Sequence, residues 1–136
     1  SDKNKVVIIL AGINDIAENS GPITIAAIFE NIKKMAEMAL TNDINVILCS
    51  VLPAKNCYWR PHIETISKIT ALNSKIKEYS ENKNLIYVDY YTKMVDENNG
   101  LPKHLAHDGV HPTKEVYEKM SDILFPFLKN YFPNNH

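Results

Sequence analysis

Residues 6–15 read VVIILAGIND, and this stretch decides the fold class. The apolar run at residues 6–10 is rich in β-branched residues and lacks the alternation of a strand that has one face in water. Gly12 interrupts the run, and the polar residues Asn14 and Asp15 follow it. The stretch therefore predicts a strand of a parallel sheet, buried on both faces, that ends in a tight turn carrying polar side chains.

Two later apolar runs, residues 46–52 and 85–88, have the same character. Helical patterns lie between and after the runs. Residues 25–39 form an apolar stripe with Thr24 as a predicted N-cap, and residues 63–79 form a second stripe. A last helix is expected from about Thr113, with a kink or end at Pro126. The order β-α-β-α-β-loop-α predicts right-handed crossovers onto a parallel sheet in one domain over residues 1–136.

The first strand is short of neighbours in this scheme. A run as apolar as residues 6–10 is typical of the middle of a sheet, because an exposed apolar edge invites pairing with other chains. We therefore expect an N-terminally truncated domain whose further strands lie upstream of Ser1. The fragment is expected to associate through its first strand or to bind a separate N-terminal piece.

Composition limits the classes of partner. The formal net charge is −1 and the 15 Lys and Arg residues form no block, which disfavours nucleic acid or an anionic membrane as the main partner. Hydrophobic residues make up 45% of the chain, enough for a real core. No run approaches membrane-span length, and we find no signal peptide. Cys49 and Cys57 fit neither a disulfide framework nor a zinc cluster, and they leave the compartment open.

The chemistry is expected beyond the carboxyl ends of the strands, where open parallel sheets bind ligands. Residues 107–112 read HDGVHP, and the glycine and proline favour a turn that folds Asp108 back towards His111. A carboxylate that accepts a hydrogen bond from one imidazole N–H orients the ring and leaves the other nitrogen free as a general base. The alternative is an ordinary loop in which Asp108 makes an Asx-turn and His111 faces solvent.

The turn after the first strand offers a second polar group. Gly12 allows a sharp turn, and the Asn14 side chain can donate hydrogen bonds to a developing oxyanion. We expect Asp15 to stabilise the loop by bonding to backbone groups. Because Asn, Asp and Gly are common turn formers, an ordinary strand-to-loop turn is the alternative for this segment taken alone.

Together, Gly12-x-Asn14-Asp15 after an apolar strand and Asp108-x-x-His111-Pro112 before a C-terminal helix resemble two signature blocks of the SGNH (GDSL-type) ester hydrolases. The resemblance implies a flavodoxin-like three-layer α/β/α sandwich with a five-stranded parallel sheet, and ester hydrolysis without cofactor or metal. It implies His111 as base, Asp108 as its orienting acid, Asn14 as oxyanion donor and Gly12 as the residue that shapes that loop. A periplasmic or secreted location is compatible with the family.

The family's serine block and its second oxyanion glycine have no counterpart in this chain and would lie upstream of Ser1. Ser20 precedes Gly21-Pro22 and is interpreted as a turn residue. Ser50 lies in a buried run without a glycine elbow, so a supporting hydrogen bond is expected of it. The isolated chain is accordingly predicted to be inactive, because a triad without its serine cannot form an acyl-enzyme.

Three further residues are candidates for substrate contact. Trp59 and Arg60 lie in the loop beyond the second strand, where an aromatic face and a guanidinium could hold a sugar or an acyl group's polar partner. Val110 could line the pocket beside His111. The predicted substrate is a small acyl ester or an acetylated carbohydrate. Alternatively, Trp59 covers the core rim and Arg60 is solvated.

Two other functions stay open. His104, His107, Asp108 and His111 supply enough atoms for a metal site, although Gly109 and Pro112 argue against the helix that would present them together. The chain could also be a non-catalytic pseudoenzyme or a carbohydrate-binding module that uses Trp59 and Arg60.

Overall fold

The structure is a computed structural model and describes residues 5–54, 64–97, 100–101, 113–129 and 131. The strands in these segments are β1 (Val6–Ile9), β2 (Asn45–Cys49) and β3 (Ile86–Val88). The helices there are α1 (Ile13–Ile16), α2 (Ile25–Thr41), α3 (Thr65–Asn82), α4 (Tyr90–Met94) and α5 (Lys114–Leu128).

The strands form a parallel sheet in the order β1-β2-β3, as the sequence predicted. Val6 of β1 lies opposite Asn45, and Cys49 of β2 lies opposite Val88. The central strand is buried from Val46 to Cys49, because helices cover both of its faces. Burial on both faces therefore explains the continuous apolar sequence of β2, as the pattern indicated.

Two apolar cores lie on opposite faces of the sheet. One contains Ile28 and Ile32 of α2 with Leu72 and Ile76 of α3, packed against Val46 and Leu48. The other contains Val116 and Met120 of α5 with Tyr90 and Met94 of α4, packed against Ile47 and Val88. This arrangement is the expected α/β/α layering of an SGNH-type fold.

The first strand lacks a second neighbour among the described strands, as the sequence predicted, and for that reason it is not buried on both faces as its apolar run indicated. Among the described strands β1 pairs with β2 alone, and it lies at one edge of the sheet. Ile8 and Leu10 are 40% and 42% exposed. They alternate with Val7 and Ile9, which face the α2–α3 core. The described neighbours of β1 thus leave part of its apolar surface exposed.

The predicted helices occur with small differences. Thr24 caps α2, because its Oγ1 accepts a hydrogen bond from Ala27 N at 3.1 Å, but Met35 in the predicted stripe is 45% exposed. Helix α5 begins after Thr113, as expected, and continues through Pro126 to Leu128. Because Pro126 lies in the last turn, its missing N–H removes one bond at a terminus and does not end the helix there.

Helices α1 and α4 were not predicted. Each is short and directly follows the carboxyl end of a strand, where the turn residues Gly12 and Asp89 act as N-caps. No helix in the described segments combines the length and the apolar character needed to cross a membrane.

Candidate functional site

The carboxyl ends of the strands lie at one edge of the parallel sheet. Gly12 and Asn14 follow β1, the segment Ser50 to Ala54 follows β2, and Asp89 follows β3. The turn predicted to carry the oxyanion donor is therefore at the edge where parallel sheets bind ligands. Sequence reasoning identified this position correctly from the glycine and polar residues that end the first apolar run.

Both the backbone conformation and the surrounding side chains require a glycine at position 12. Its φ of 120° lies in the region that residues with a side chain rarely adopt. A Cβ at this position would lie 2.7 Å from Leu72 Cδ2 and 3.4 Å from Val51 Cγ2. Since Leu72 and Val51 are fully buried, neither has free space to move into. The sharp turn predicted at Gly12 is confirmed, and it brings the backbone into contact with α3 and the end of β2.

Asn14 stands in the short helix that this turn begins. Ile16 N donates to Gly12 O at 2.8 Å, and Asn19 N donates to Asn14 O at 3.1 Å, so the turn is internally bonded. The Asn14 side chain is exposed, and its Oδ1 accepts a hydrogen bond from Asn19 Nδ2 at 3.2 Å. Within the described part of the chain its Nδ2 has no acceptor. In the described segments, therefore, no other acceptor competes with a ligand at the sheet edge for this amide nitrogen.

An ion pair attaches the far end of this turn to helix α3. Lys68 Nζ lies 3.4 Å from Glu18 Oε2, and both side chains are partly exposed. A pair of this kind contributes about 1 kcal/mol or less. Ile16 and Ala17, each 1% exposed, contribute more by packing into the α2–α3 core. The turn that carries Asn14 is therefore held mainly by buried apolar contacts.

Helix α3 also binds the chain where it leaves β2, a feature that the sequence analysis missed. Asn73 Oδ1 accepts a hydrogen bond from Val51 N at 2.7 Å, and Asn73 Nδ2 donates to Val51 O at 3.2 Å. One side-chain amide thus satisfies both peptide groups of a residue that has left the strand ladder. The available signal was an asparagine in a helix interior, where this residue type is unfavourable without a specific partner.

Ser50 has the supporting role that the sequence indicated. Its hydroxyl is fully buried, accepts a hydrogen bond from Tyr91 N at 2.9 Å and bonds to the Tyr87 side chain. Burial raises the pKa of Tyr87 to about 12, although the bond from Ser50 opposes this rise. A hydroxyl that is buried and engaged in two hydrogen bonds is unsuited to attack a substrate. Ser20 is exposed in a turn, as expected.

A polar cleft of about 200 Å³ lies beside the carboxyl end of β3. Several of its polar groups are bonded within the fold: Asp89 accepts from Thr92 N at 3.0 Å and from Thr92 Oγ1 at 2.6 Å, Thr70 Oγ1 donates to Ile66 O, and Asn73 bonds to Val51. Such groups have little capacity left for a ligand, and we interpret the cleft as part of the framework. The lining residues are Thr70, Asn73, Ser74, Lys77, Tyr87, Asp89, Tyr91 and Thr92.

The remaining predicted site residues lie outside the described residues. Asp108, Val110 and His111 fall in 102–112, and Trp59 and Arg60 fall in 55–63. The alternative metal site, which adds His104 and His107, falls in the same range. The structure thus describes Gly12 and Asn14 of the predicted site, and the pairing of Asp108 with His111 stays a prediction.

Both boundaries of residues 102–112 lie in ordered structure. On the N-terminal side, Gly100 N donates to Asp96 Oδ1 at 3.0 Å and Asp96 N donates to Gly100 O at 2.8 Å. Leu101 then enters the α4–α5 core at 6% exposure. On the C-terminal side, Thr113 begins α5, and the fully buried Val116 attaches the first turn of that helix. The predicted Asp-His segment therefore starts and ends at positions packed against the sheet.

Comparison with known proteins assigns the family of this chain. The family model for GDSL-like lipases and acylhydrolases matches residues 1–119, and the chain belongs to this family. A GDSL-like lipase from Bacteroides thetaiotaomicron is similar, with 42% identity and a TM-score of 0.87 over 92% of this chain and 62% of the other. The resemblance seen in the two short motifs is thereby confirmed.

Two further solved structures are similar. A candidate acylhydrolase from Bacteroides fragilis has 39% identity and a TM-score of 0.87, over 92% of this chain and 61% of the other. An acetyl xylan esterase has 17% identity and a TM-score of 0.73, over 91% and 67%, and shows the shared fold alone. The comparison with curated proteins gave no match. The chain spans less than two thirds of the length of the two Bacteroides structures.

Proposed function

We propose that the protein containing this chain hydrolyses carboxylic esters with a serine nucleophile that an upstream segment supplies. His111 takes the serine proton and later returns it to the leaving alcohol, while Asp108 orients His111 and stabilises the imidazolium. The acyl group is transferred to serine and then to water, so no cofactor or metal takes part. Asn14 donates a hydrogen bond to the oxyanion of each tetrahedral intermediate.

The geometry of the Gly12–Asn14 turn is the observation that carries this proposal. Oxyanion stabilisation needs a donor that is fixed before the reaction, because a donor that must reorganise loses part of its effect. Asn14 is exposed at the carboxyl edge of the sheet, its Oδ1 is bonded to Asn19, and its Nδ2 has no acceptor among the described residues. The contacts of Gly12 with Leu72 and Val51 hold the turn below it.

The anchoring of residues 102–112 supports the role of the Asp-His pair. General base catalysis requires an imidazole nitrogen within about 2.6–3.2 Å of the oxygen whose proton it removes. The described residues on either side are held in place, by the bonded turn at Asp96 and Gly100 with the buried Leu101 before the segment, and by the start of α5 at Thr113 after it. Leu101 on one side and Val116 of α5 on the other belong to the core that α4 and α5 form on one face of the sheet.

For the substrate we propose a small acyl ester or an acetylated carbohydrate. Trp59 would stack on a sugar ring and Arg60 would bind a polar group beside the ester, whereas Val110 would contact the acyl chain. The fold relation to an acetyl xylan esterase supports sugar acetates as compounds to test.

The first experiment measures p-nitrophenyl acetate hydrolysis by the longest natural protein that contains this chain. We expect turnover by that protein and little or none by residues 1–136 alone, since the chain lacks a usable serine. His111→Ala is expected to lower kcat by about three to six powers of ten. Asn14→Ala is expected to lower it by about two to three powers of ten with a small change in KM.

Asn42→Ala is the matched control for Asn14→Ala. Asn42 is also an exposed asparagine with a side-chain hydrogen bond, here from Nδ2 to Met38 O at 2.8 Å at the end of α2. The control should keep normal kcat. Turnover that survives His111→Ala, or that a metal chelator abolishes, would contradict the serine mechanism. Sugar binding by a protein that lacks turnover would instead support the non-catalytic alternative.

A further inference from the structure

Helix α3 contacts the two chain segments that leave β1 and β2, and it does so through adjacent residues. Leu72 Cδ2 occupies the place where a side chain of Gly12 would be, 2.7 Å from the position of its Cβ. Asn73, the next residue, bonds both peptide groups of Val51. The same turn of one helix therefore determines the position of both segments.

The two segments also contact each other. Val51 Cγ2 lies 3.4 Å from the position of a Gly12 Cβ, and Val51 is 1% exposed. Val51 has passed the end of β2, so its backbone is held at this point by Asn73 and not by a neighbouring strand. A change in the Val51 peptide would move its side chain against the Gly12 turn, because close-packed interiors transmit displacement.

We propose that Asn73 is a positioning residue for Asn14. Its side-chain amide holds the Val51 backbone, the Val51 side chain supports the Gly12 turn, and that turn places the Asn14 amide at the oxyanion. The inference rests on the proposed ester hydrolase function for its catalytic consequence. Its structural content, a mechanical link from Asn73 to Asn14, does not depend on which reaction the site performs.

The chemistry of Asn73 explains why another polar residue would be a poor substitute. Val51 presents a donor and an acceptor in one residue, and a carboxamide offers the complementary acceptor and donor at the distance between them. Asp in this position keeps an acceptor for Val51 N but places a second oxygen against Val51 O. Leu fills the volume and leaves both peptide groups without their partner.

The test uses Asn73→Leu and Asn73→Asp in the longest natural protein that contains this chain. With p-nitrophenyl acetate, we expect kcat to fall about 10- to 100-fold for Asn73→Leu, because displacing a donor by about 1 Å can cost that much. KM is expected to stay within about two-fold, since Asn73 is proposed to act through the Asn14 donor, whose bond to the oxyanion forms only in the transition state. Asn73→Asp, which is the smaller perturbation of packing, should fall in between.

Ser80→Ala is the matched control on the same helix. Ser80 is fully buried and donates to Ile76 O at 2.8 Å, but it lies towards the other end of α3 and contacts neither exit segment. Loss of its hydroxyl is expected to leave kcat within about two-fold. An equal loss of kcat in Ser80→Ala would overturn the proposal, because it would make the effect a general weakening of α3.

A double-mutant cycle separates positioning from simple structural support. If Asn73 acts through Asn14, Asn73→Leu should have little further effect on kcat in an Asn14→Ala background. Fully additive losses would overturn the proposal.

If the protein lacks esterase activity, the amide NMR signals of Gly12 and Asn14 test the structural link from Asn73 to Asn14. Asn73→Leu and Asn73→Asp should shift them and Ser80→Ala should not, whereas unshifted signals would refute the link to Asn14.

Discussion

Gly12 and Asn14 show how one residue can supply the conformation that another needs. The positive φ of Gly12 turns the chain out of β1 and begins the short helix that presents Asn14. Sequence reasoning found this pair because glycine and asparagine interrupt an apolar run. It could not find Leu72 or Val51 as the residues that make a side chain at position 12 impossible, because both look like ordinary core residues.

Buried hydroxyl and thiol groups near the end of β2 form a second residue-level feature. Cys49 is 1% exposed and bonds to the Tyr90 side chain, and burial raises the pKa of its thiol from 9.0 to about 12. Burial also raises the pKa of Tyr90, with Cys49 contributing to the rise. Cys49 was predicted to be a small core residue, and the structure confirms this.

These raised pKa values predict a loss of stability at alkaline pH. The folded state keeps Cys49 protonated up to about pH 12, whereas the unfolded chain releases that proton from about pH 9. The stabilising contribution is therefore complete below pH 9 and is lost as pH rises towards 12, by at most about 1.4 kcal/mol per pH unit for each group.

Urea unfolding at pH 8 and pH 10.5 measures this effect. We expect a lower free energy of unfolding at pH 10.5, and a smaller difference between the two pH values in Cys49→Ala. Ser80→Ala removes a buried group that does not titrate, so its pH difference should equal that of the unchanged protein. A Cys49→Ala variant with an undiminished pH difference would contradict the assignment to the thiol.

At the level of secondary structure, the ends of helices were predicted from single polar residues. Thr24 and Thr113 were identified as helix starts, and α2 and α5 begin directly after them. The short helices α1 and α4 escaped prediction because four and five residues are too few to show an amphipathic period. They form where the chain leaves a strand, because the peptide groups there have lost their strand partners and need hydrogen bonds from within the same segment.

The cap of α2 gives a stability prediction. Thr24→Ala removes the acceptor of the Ala27 N–H bond and should lower the free energy of unfolding by about 0.5–2 kcal/mol. Thr41→Ala is the control, because Thr41 bonds to Glu37 O at the other end of the same helix and satisfies no free N–H group. Its change should stay within about 0.5 kcal/mol. Equal midpoints for the two variants in urea would refute a capping role for Thr24.

For the molecule as a whole, β1 is the point where sequence and described structure differ. The strand is apolar like a central strand, yet in the described segments it has a partner on one side. Ile8 and Leu10 are exposed on the face that they share with Val6. An edge with unpaired peptide groups and apolar side chains favours association with another strand.

Residues 1–136 alone are therefore expected to associate through β1. Light scattering of this fragment should show a mass above 15.5 kDa that increases with concentration. Ile8→Lys places a charge on the edge and should reduce the association. Met38→Lys, which changes a side chain 69% exposed on α2, is the matched control and should have no comparable effect. A fragment that stays monomeric would argue against a missing sheet neighbour.

The parallel sheet, the layers of helices and the position of the Gly12–Asn14 turn followed from local information. Apolar period, caps and glycine all act over a few residues, so a pattern in the chain is enough to reveal them. Tertiary structure alone decided that Leu72 and Val51 surround Gly12 and that Asn73 binds Val51 across 22 residues. These features depend on the close packing of side chains distant in sequence, which leaves no periodic trace in the chain.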